Sequence, residues 1–263
     1  MKIPALLFLL IPLSVNLSGQ SAGVLKVSSP SGDWNLNVAW LSGFQKNYLE
    51  KIYFESVTVP NELINGKEYQ QYFYRSGTNP LLFINRNRKA TLFFRNMQFE
   101  NLVLQYDTFM DDVVYSDFSK MVNGGFPQIA LNKDIVKGFN LYFDYDSMLF
   151  RHFTFSGKYA EIMKDGFYEL AYDGKTKFLI KHRSKIYNKE GLDKYAYSPE
   201  KYIFKGESWV KLTSGKKFLQ IFGEREKEIN DLMTRLKIKI PKATKSQIAE
   251  ILKYYDSERN SSK

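Results

Sequence analysis

The chain contains no cysteine. That excludes a disulfide framework, a thiolate metal site, a cysteine nucleophile and a lipid-modified N-terminal cysteine. Histidine is almost as scarce, with His152 and His182 the only two. A His-rich metal centre is therefore excluded, and any Ser-His-Asp arrangement would have to use one of this pair. Beyond the N-terminus no apolar run approaches the length of a membrane-spanning helix. The Walker, Rossmann, HExxH and GxSxG patterns are missing. So are an internal repeat of fixed period and the pattern of a nucleic-acid module.

What is present points to β structure. The 263 residues suffice for one large domain or two small ones, and a hydrophobic share of 44% supplies a sizeable core. Aromatics reach 16%, with 21 Phe and 18 Tyr. Such side chains suit pleated, half-buried surfaces.

Met1 to about Gly23 reads as a secretory signal peptide. Lys2 gives the positive start, Ala5–Leu13 the apolar run, and Ser18, Gly19, Ser21 and Ala22 the small residues for cleavage near 19–23. The run is short for a bilayer span and Pro12 interrupts it, which argues against an uncleaved anchor. The expectation is export to the periplasm or the extracellular space, with outer-membrane association left open, as a protein that is not a lipoprotein. The mature chain would carry no transmembrane span and would meet no nucleic acid.

The net charge of +10 is uneven. From Lys175 onward there are 22 Lys+Arg against 11 Asp+Glu, and from Gln20 to Gly174 15 against 17. The last third either attracts an anionic surface or uses its lysines to solvate strand and helix faces and to blunt sheet edges. Their even spread favours the second reading.

Along the chain, a short strand is expected at Val24–Val27. Trp34–Trp40 alternates strictly, with Trp34, Leu36, Val38 and Trp40 on one face. It reads as a half-buried strand or as an exposed aromatic stripe for stacking on sugars. Lys46–Val59 fits helix and strand equally. Strands are predicted at Ala90–Arg95, Phe99–Tyr106, Val113–Tyr115, Gln128–Leu131, Ile135–Phe143 and Phe150–Phe155, separated by polar turns.

Phe167–Arg183 reads as a hairpin about Asp173-Gly174, a favoured pair for a two-residue type I′ turn. Ser184–Tyr197 reads as a polar, Lys-rich loop, with His182 facing solvent before it. A second hairpin is expected from Lys201–Phe204 and Ser208–Leu212. From Ser214 the period becomes helical. Ser214 caps a helix through Phe222, and Glu224–Lys237 carries the stripe Ile229, Leu232, Met233, Leu236. Thr244–Gln247 is a capping box before the stripe Ile248, Ile251, Leu252, Tyr255.

The predicted architecture is mainly β (α+β): an antiparallel meander forming a sandwich or partly open barrel, followed by two or three short C-terminal helices. Residues 1–19 are the leader, 20–213 the β body, 214–257 the helical segment packed on it, and 258–263 a frayed tail.

Asp107, Asp111, Asp112 and Asp117 cluster around one turn. Paired carboxylates do acid–base work or bind Ca²⁺, but the spacing lacks the pattern of an EF-hand loop, and Asp simply favours turns. His152 reads as a surface or sheet-lining residue. No catalytic, cofactor-binding or metal-ligating residue is assigned, and no cofactor is expected.

Four pieces in fixed order carry a resemblance: LVLQYDTFMDDVVY (Leu102–Tyr115), IVKGFNL (Ile135–Leu141), FYELAYDGKTKFLIKH (Phe167–His182), and the C-terminal series KKFLQIFGEREKEINDLMTRLKIK … IAEILKYYD. Over its last two thirds the chain resembles a group of uncharacterised exported proteins widespread in Bacteroidota-type bacteria. Gln20–Lys89 lies outside that match. The resemblance implies a β-rich body with C-terminal helices and export, and it supplies no activity and no site residues.

Three functions fit these observations. The first is a non-enzymatic periplasmic or cell-surface module that binds a protein, a glycan or another envelope component. The second is a carboxylate-based glycan hydrolase using Asp107, Asp111, Asp112 or Glu169. The third is a weak binder of anionic envelope surfaces through the Lys-rich last third.

Overall fold

A computed structural model describes residues 14–15, 24–29, 32–37, 66–70, 72, 78–83, 88–116, 127–240 and 242–258. The chain divides into two compact units, Met1–Asn61 and Glu62–Lys263.

In the first unit β1 (Ser14–Val15), β2 (Val24–Ser29) and β3 (Gly32–Asn37) form a three-stranded antiparallel sheet, with Trp34 opposite Val27. The strand expected at Val24–Val27 is thus present. Val38 to Trp40, the leader apart from Ser14 and Val15, and Lys46–Val59 lie outside the described residues.

The second unit is built on a single sheet of 11 strands. Its strands are β4 (Lys67–Glu68), β5 (Arg88–Phe94), β6 (Met97–Asp107), β7 (Asp112–Ser116), β8 (Gln128–Ala130), β9 (Val136–Tyr142), β10 (Ser147–Phe153), β11 (Gly166–Asp173), β12 (Lys177–Lys181), β15 (Glu200–Lys205) and β16 (Ser208–Lys211). Between β12 and β15 the chain makes a separate ribbon, β13 (Ser184–Lys189) and β14 (Leu192–Tyr197).

The sheet order is β16-β15-β12-β11-β10-β9-β5-β6-β7-β8-β4. All of its paired strands are antiparallel, and β16 does not join β4, so no barrel closes. Two meanders meet where β9 pairs with β5. In a flat sheet β8 and β9 would lie four strand spacings apart, about 19 Å. The link from Ala130 to Val136 uses part of its length in a turn, where Ile135 N–H donates to Asn132 O at 3.3 Å. The sheet must curl for so short a link to close.

Period-two alternation builds the core on both faces of the sheet. On one face Phe178, Ile180 and Ile203 pack with Phe218, Phe222, Ile229, Met233, Ile248, Ile251 and Leu252 from the helices. On the other, Tyr168, Leu179 and Tyr202 pack with Met163. Each fully buried Ile, Leu or Phe contributes about 2 kcal/mol. Nearer β6, the rings of Tyr106, Phe139, Phe150 and Phe167 cluster, with Phe139 and Phe150 stacked at 4.5 Å.

Three α-helices close the chain: α1 (Gly215–Gln220), α2 (Glu226–Arg235) and α3 (Lys245–Glu258). Ser214 caps α1 by accepting from Lys217 N–H at 3.2 Å. The capping box before α3 is reciprocal: Gln247 N–H donates to Thr244 Oγ1 at 3.2 Å, and Thr244 N–H to Gln247 Oε1 at 2.9 Å. The expected helix at Glu224 instead starts with a 3₁₀ turn, Gly223–Arg225, before α2.

Two turn assignments are corrected. Asp173-Gly174 is not a two-residue type I′ turn, because Asp173 pairs with Lys177 across a three-residue loop and neither residue has positive φ. What requires glycine at 174 is space: a Cβ there would lie 2.4 Å from the Tyr172 hydroxyl and 2.5 Å from Asp256 Oδ2. Ser184–Tyr197 is not a loop either. It is the β13–β14 ribbon, and the positive-φ pair sits at its tip, with Glu190 at 58° and Gly191 at 76°. The pattern was masked because its alternating residues are lysines and tyrosines, which mimic a solvated loop.

Candidate functional site: a ribbon and the polar relay at its foot

The ribbon begins where β12 ends, and its foot is tied to the sheet. Ser184 N–H donates to Thr108 O at 3.1 Å, and the two hydroxyls meet at 2.7 Å. Tyr195 packs edge-on against Tyr72 at 5.0 Å and Phe109 at 5.3 Å, while its N–H donates to Thr78 Oγ1 at 2.8 Å. Past this foot the strands run into solvent, with all of β13 beyond Ser184 exposed.

At the base of β14 the Tyr197 hydroxyl meets Nδ1 of His182. Nε2 of His182 bonds Glu169 Oε2 at 2.8 Å, and Lys245 Nζ of α3 donates to Glu169 Oε1 at 2.9 Å. The result is a chain of contacts from the ribbon through the sheet to the last helix.

Its placement follows from local pattern. Glu169 lies between Phe167 and Ala171 on one face of β11, and His182 continues the inward series Phe178, Ile180. The expectation that His182 faces solvent is therefore corrected: it is 5% exposed. Burial raises the Glu169 pKa, but the hydrogen bonds and charges of His182 and Lys245 outweigh it and hold the carboxyl below its ordinary range. Burial lowers that of Lys245, yet Glu169 and Asp146 leave it raised. Burial, then the Glu169 charge, pushes the Tyr197 phenol up to about 12.

The remaining acids are engaged elsewhere. Asp107 is fully buried; its Oδ2 accepts from Tyr69 at 3.0 Å and Tyr72 at 2.6 Å, and its Oδ1 from the N–H groups of Phe109 and Met110. Asp111 pairs with Lys181 at 2.8 Å and accepts from Tyr106. Asp112 pairs with Lys133 at 2.9 Å. Asp117 lies outside the described residues. Lys181 also donates to Phe167 O at 3.1 Å; burial pushes its pKa down, against the pull of Asp111.

His152 is half-buried beside Phe167 and contacts none of the relay residues; burial lowers its pKa. Among the described residues no group of three or more His, Asp or Glu is placed to hold a metal ion. No helix among them is long and apolar enough to cross a membrane.

Asp256 supplies a further tie. Its Oδ2 accepts from Tyr172 at 3.0 Å and from Thr176 N–H and Oγ1 at 2.9 and 3.0 Å, pinning α3 to the β11–β12 loop. Nothing in the local sequence announces this pair; the 80-residue separation hides it.

Compared with known proteins, the chain matches no protein-family model, no curated protein and no solved structure.

Proposed function

We propose that the protein is an exported, non-enzymatic binding module of the bacterial envelope, with the β13–β14 ribbon as its recognition element. The observation that carries this reading is the contrast within the ribbon. Its foot is fixed by hydrogen bonds and aromatic packing, while Ile186, Tyr187 and Leu192 stand in solvent at 44%, 45% and 41% exposure. Isolated hairpins are marginal in water, so an anchored one presents side chains in a fixed array at low entropic cost. The N-terminal leader pattern and the resemblance to exported Bacteroidota-type proteins supply the compartment.

The carboxylate-hydrolase alternative has less support. Asp107, Asp111, Asp112 and Glu169 are each held by phenols, lysines, histidine or backbone donors, so freeing an acid would break a structural tie.

The test is co-sedimentation of the protein with envelopes isolated from a Bacteroidota-type bacterium. Tyr187→Ser combined with Leu192→Ser is expected to abolish retention while leaving the melting temperature unchanged. Retention equal to that of the parent would place recognition elsewhere and overturn the assignment.

A further inference from the structure

The ribbon has two different faces. Directly opposed residues of an antiparallel pair share a face, and alternate residues along each strand do too. The pairs Ser184–Tyr197, Ile186–Tyr195 and Asn188–Asp193 make one face. That face is tied down through Tyr195 and through the contact of Tyr197 with His182. The pairs Lys185–Ala196, Tyr187–Lys194 and Lys189–Leu192 make the other. It carries three cations and no acid.

Asp193, the only acid within the two strands, sits on the tied face and accepts from Asn188 Nδ2 at 3.2 Å. Glu190 occupies the tip turn rather than either face. Among the described residues Lys185, Lys189 and Lys194 have no ion-pair partner; Lys185 and Lys189 are exposed and Lys194 is half-buried. The free face is therefore an uncompensated cationic surface, with Tyr187 and Leu192 set between its lysines.

Resting on the reading of the ribbon as the recognition element, we propose that this free face is a docking surface for anionic lipid headgroups. Lys185, Lys189 and Lys194 meet the phosphates, and Tyr187 and Leu192 enter the interface. Charge alone would suit an acidic polypeptide equally. The interleaved apolar side chains favour lipid: tyrosine settles at headgroup level, and lysines keep their ammonium groups in the polar layer while their stems lie along apolar surface.

The experiment is co-sedimentation of the full chain with vesicles of phosphatidylglycerol mixed with phosphatidylcholine, against phosphatidylcholine alone. Binding is expected only to the anionic vesicles, and it should weaken as salt is raised. Each lysine near an anionic surface is worth about fivefold in partitioning, so Lys185→Gln, Lys189→Gln and Lys194→Gln together should weaken binding on the order of 100-fold. A charge-matched control on the exposed Lys216, Lys217 and Lys227, each replaced by Gln, should bind within about threefold of the parent.

Equal loss in both triple variants would mean that net charge, not this face, drives binding, and would overturn the proposal. Equal binding to both vesicle types would also overturn it, as would capture by immobilised polyglutamate as strong as capture by vesicles. Absence of vesicle binding while the Tyr187/Leu192 variant still loses envelope retention would remove the lipid and leave the module reading intact. Absence of both would remove both.

Discussion

The β11–β12 and β13–β14 hairpins are separated by two residues, His182 and Arg183, and each has a glycine in its turn, yet one is core and the other stands in solvent. In β11–β12 Phe178, Leu179 and Ile180 are buried, so both faces of the arm are covered. Its loop is held from outside, by Asp256 on α3. In β13–β14 the turn is local chemistry alone. Glu190 and Gly191 take up positive φ, and Asn188 Oδ1 accepts from Gly191 N–H at 3.2 Å. The same residue type thus serves two ends: at 174 glycine makes room for a neighbour, and at 191 it allows a backbone angle.

The sharpest test of that contrast is a pair of alanine substitutions. At Gly174 a Cβ meets Tyr172 and Asp256, so overpacking and loss of the hydrogen bonds to the buried carboxylate should cost about 3 kcal/mol. At Gly191 a Cβ finds open space and only the left-handed backbone is penalised, about 1 kcal/mol. Chemical denaturation of both variants measures the difference; equal losses would show that the close approach of Tyr172 and Asp256 to Gly174 adds no extra cost.

A smaller effect tests the tie between the two hairpins and α3. Glu169→Gln keeps the shape of the side chain and removes its charge, at an expected cost of about 2 kcal/mol at neutral pH. The Glu169 pKa is lowered in the folded state. Its contribution is therefore present above the ordinary glutamate pKa and is lost as pH falls through the folded value. The gap in melting temperature between parent and variant should narrow on acidification. A gap that stays constant would mean that the carboxylate is not the stabilising group.

The smallest expected effect is a gain. Glu190→Asn places a residue that tolerates positive φ in the turn, and should raise stability by a few tenths of a kcal/mol. A loss measured by thermal denaturation would argue that the Glu190 side chain itself supports the tip.

Much of the sheet was legible because alternation of period two needs only neighbouring residues. Strands near Ala90–Arg95, Phe99–Tyr106 and Ile135–Phe143 and the capping box at Thr244 all formed within a few residues of their predicted bounds, and of the predicted stripe on α2 Ile229, Leu232 and Met233 are buried while Leu236, just past the helix, is exposed. Inward placement of Glu169 and His182 was also written in that alternation, and their polarity concealed it. Polar identity likewise hid the ribbon, since Lys185, Tyr187, Lys189 and Lys194 alternate without an apolar face.

By itself, the sequence determined the β-rich class, the helical close, the absence of thiol chemistry and the excess of positive charge in the last third. These follow from composition and local period. Only the tertiary structure decided which turn took positive φ, which carboxylates became internal ties, and which lysines were left without partners. Those outcomes depend on contacts such as Asp111 with Lys181 and Asp256 with Thr176, between residues 70 to 80 positions apart, and local spacing carries no record of such pairs.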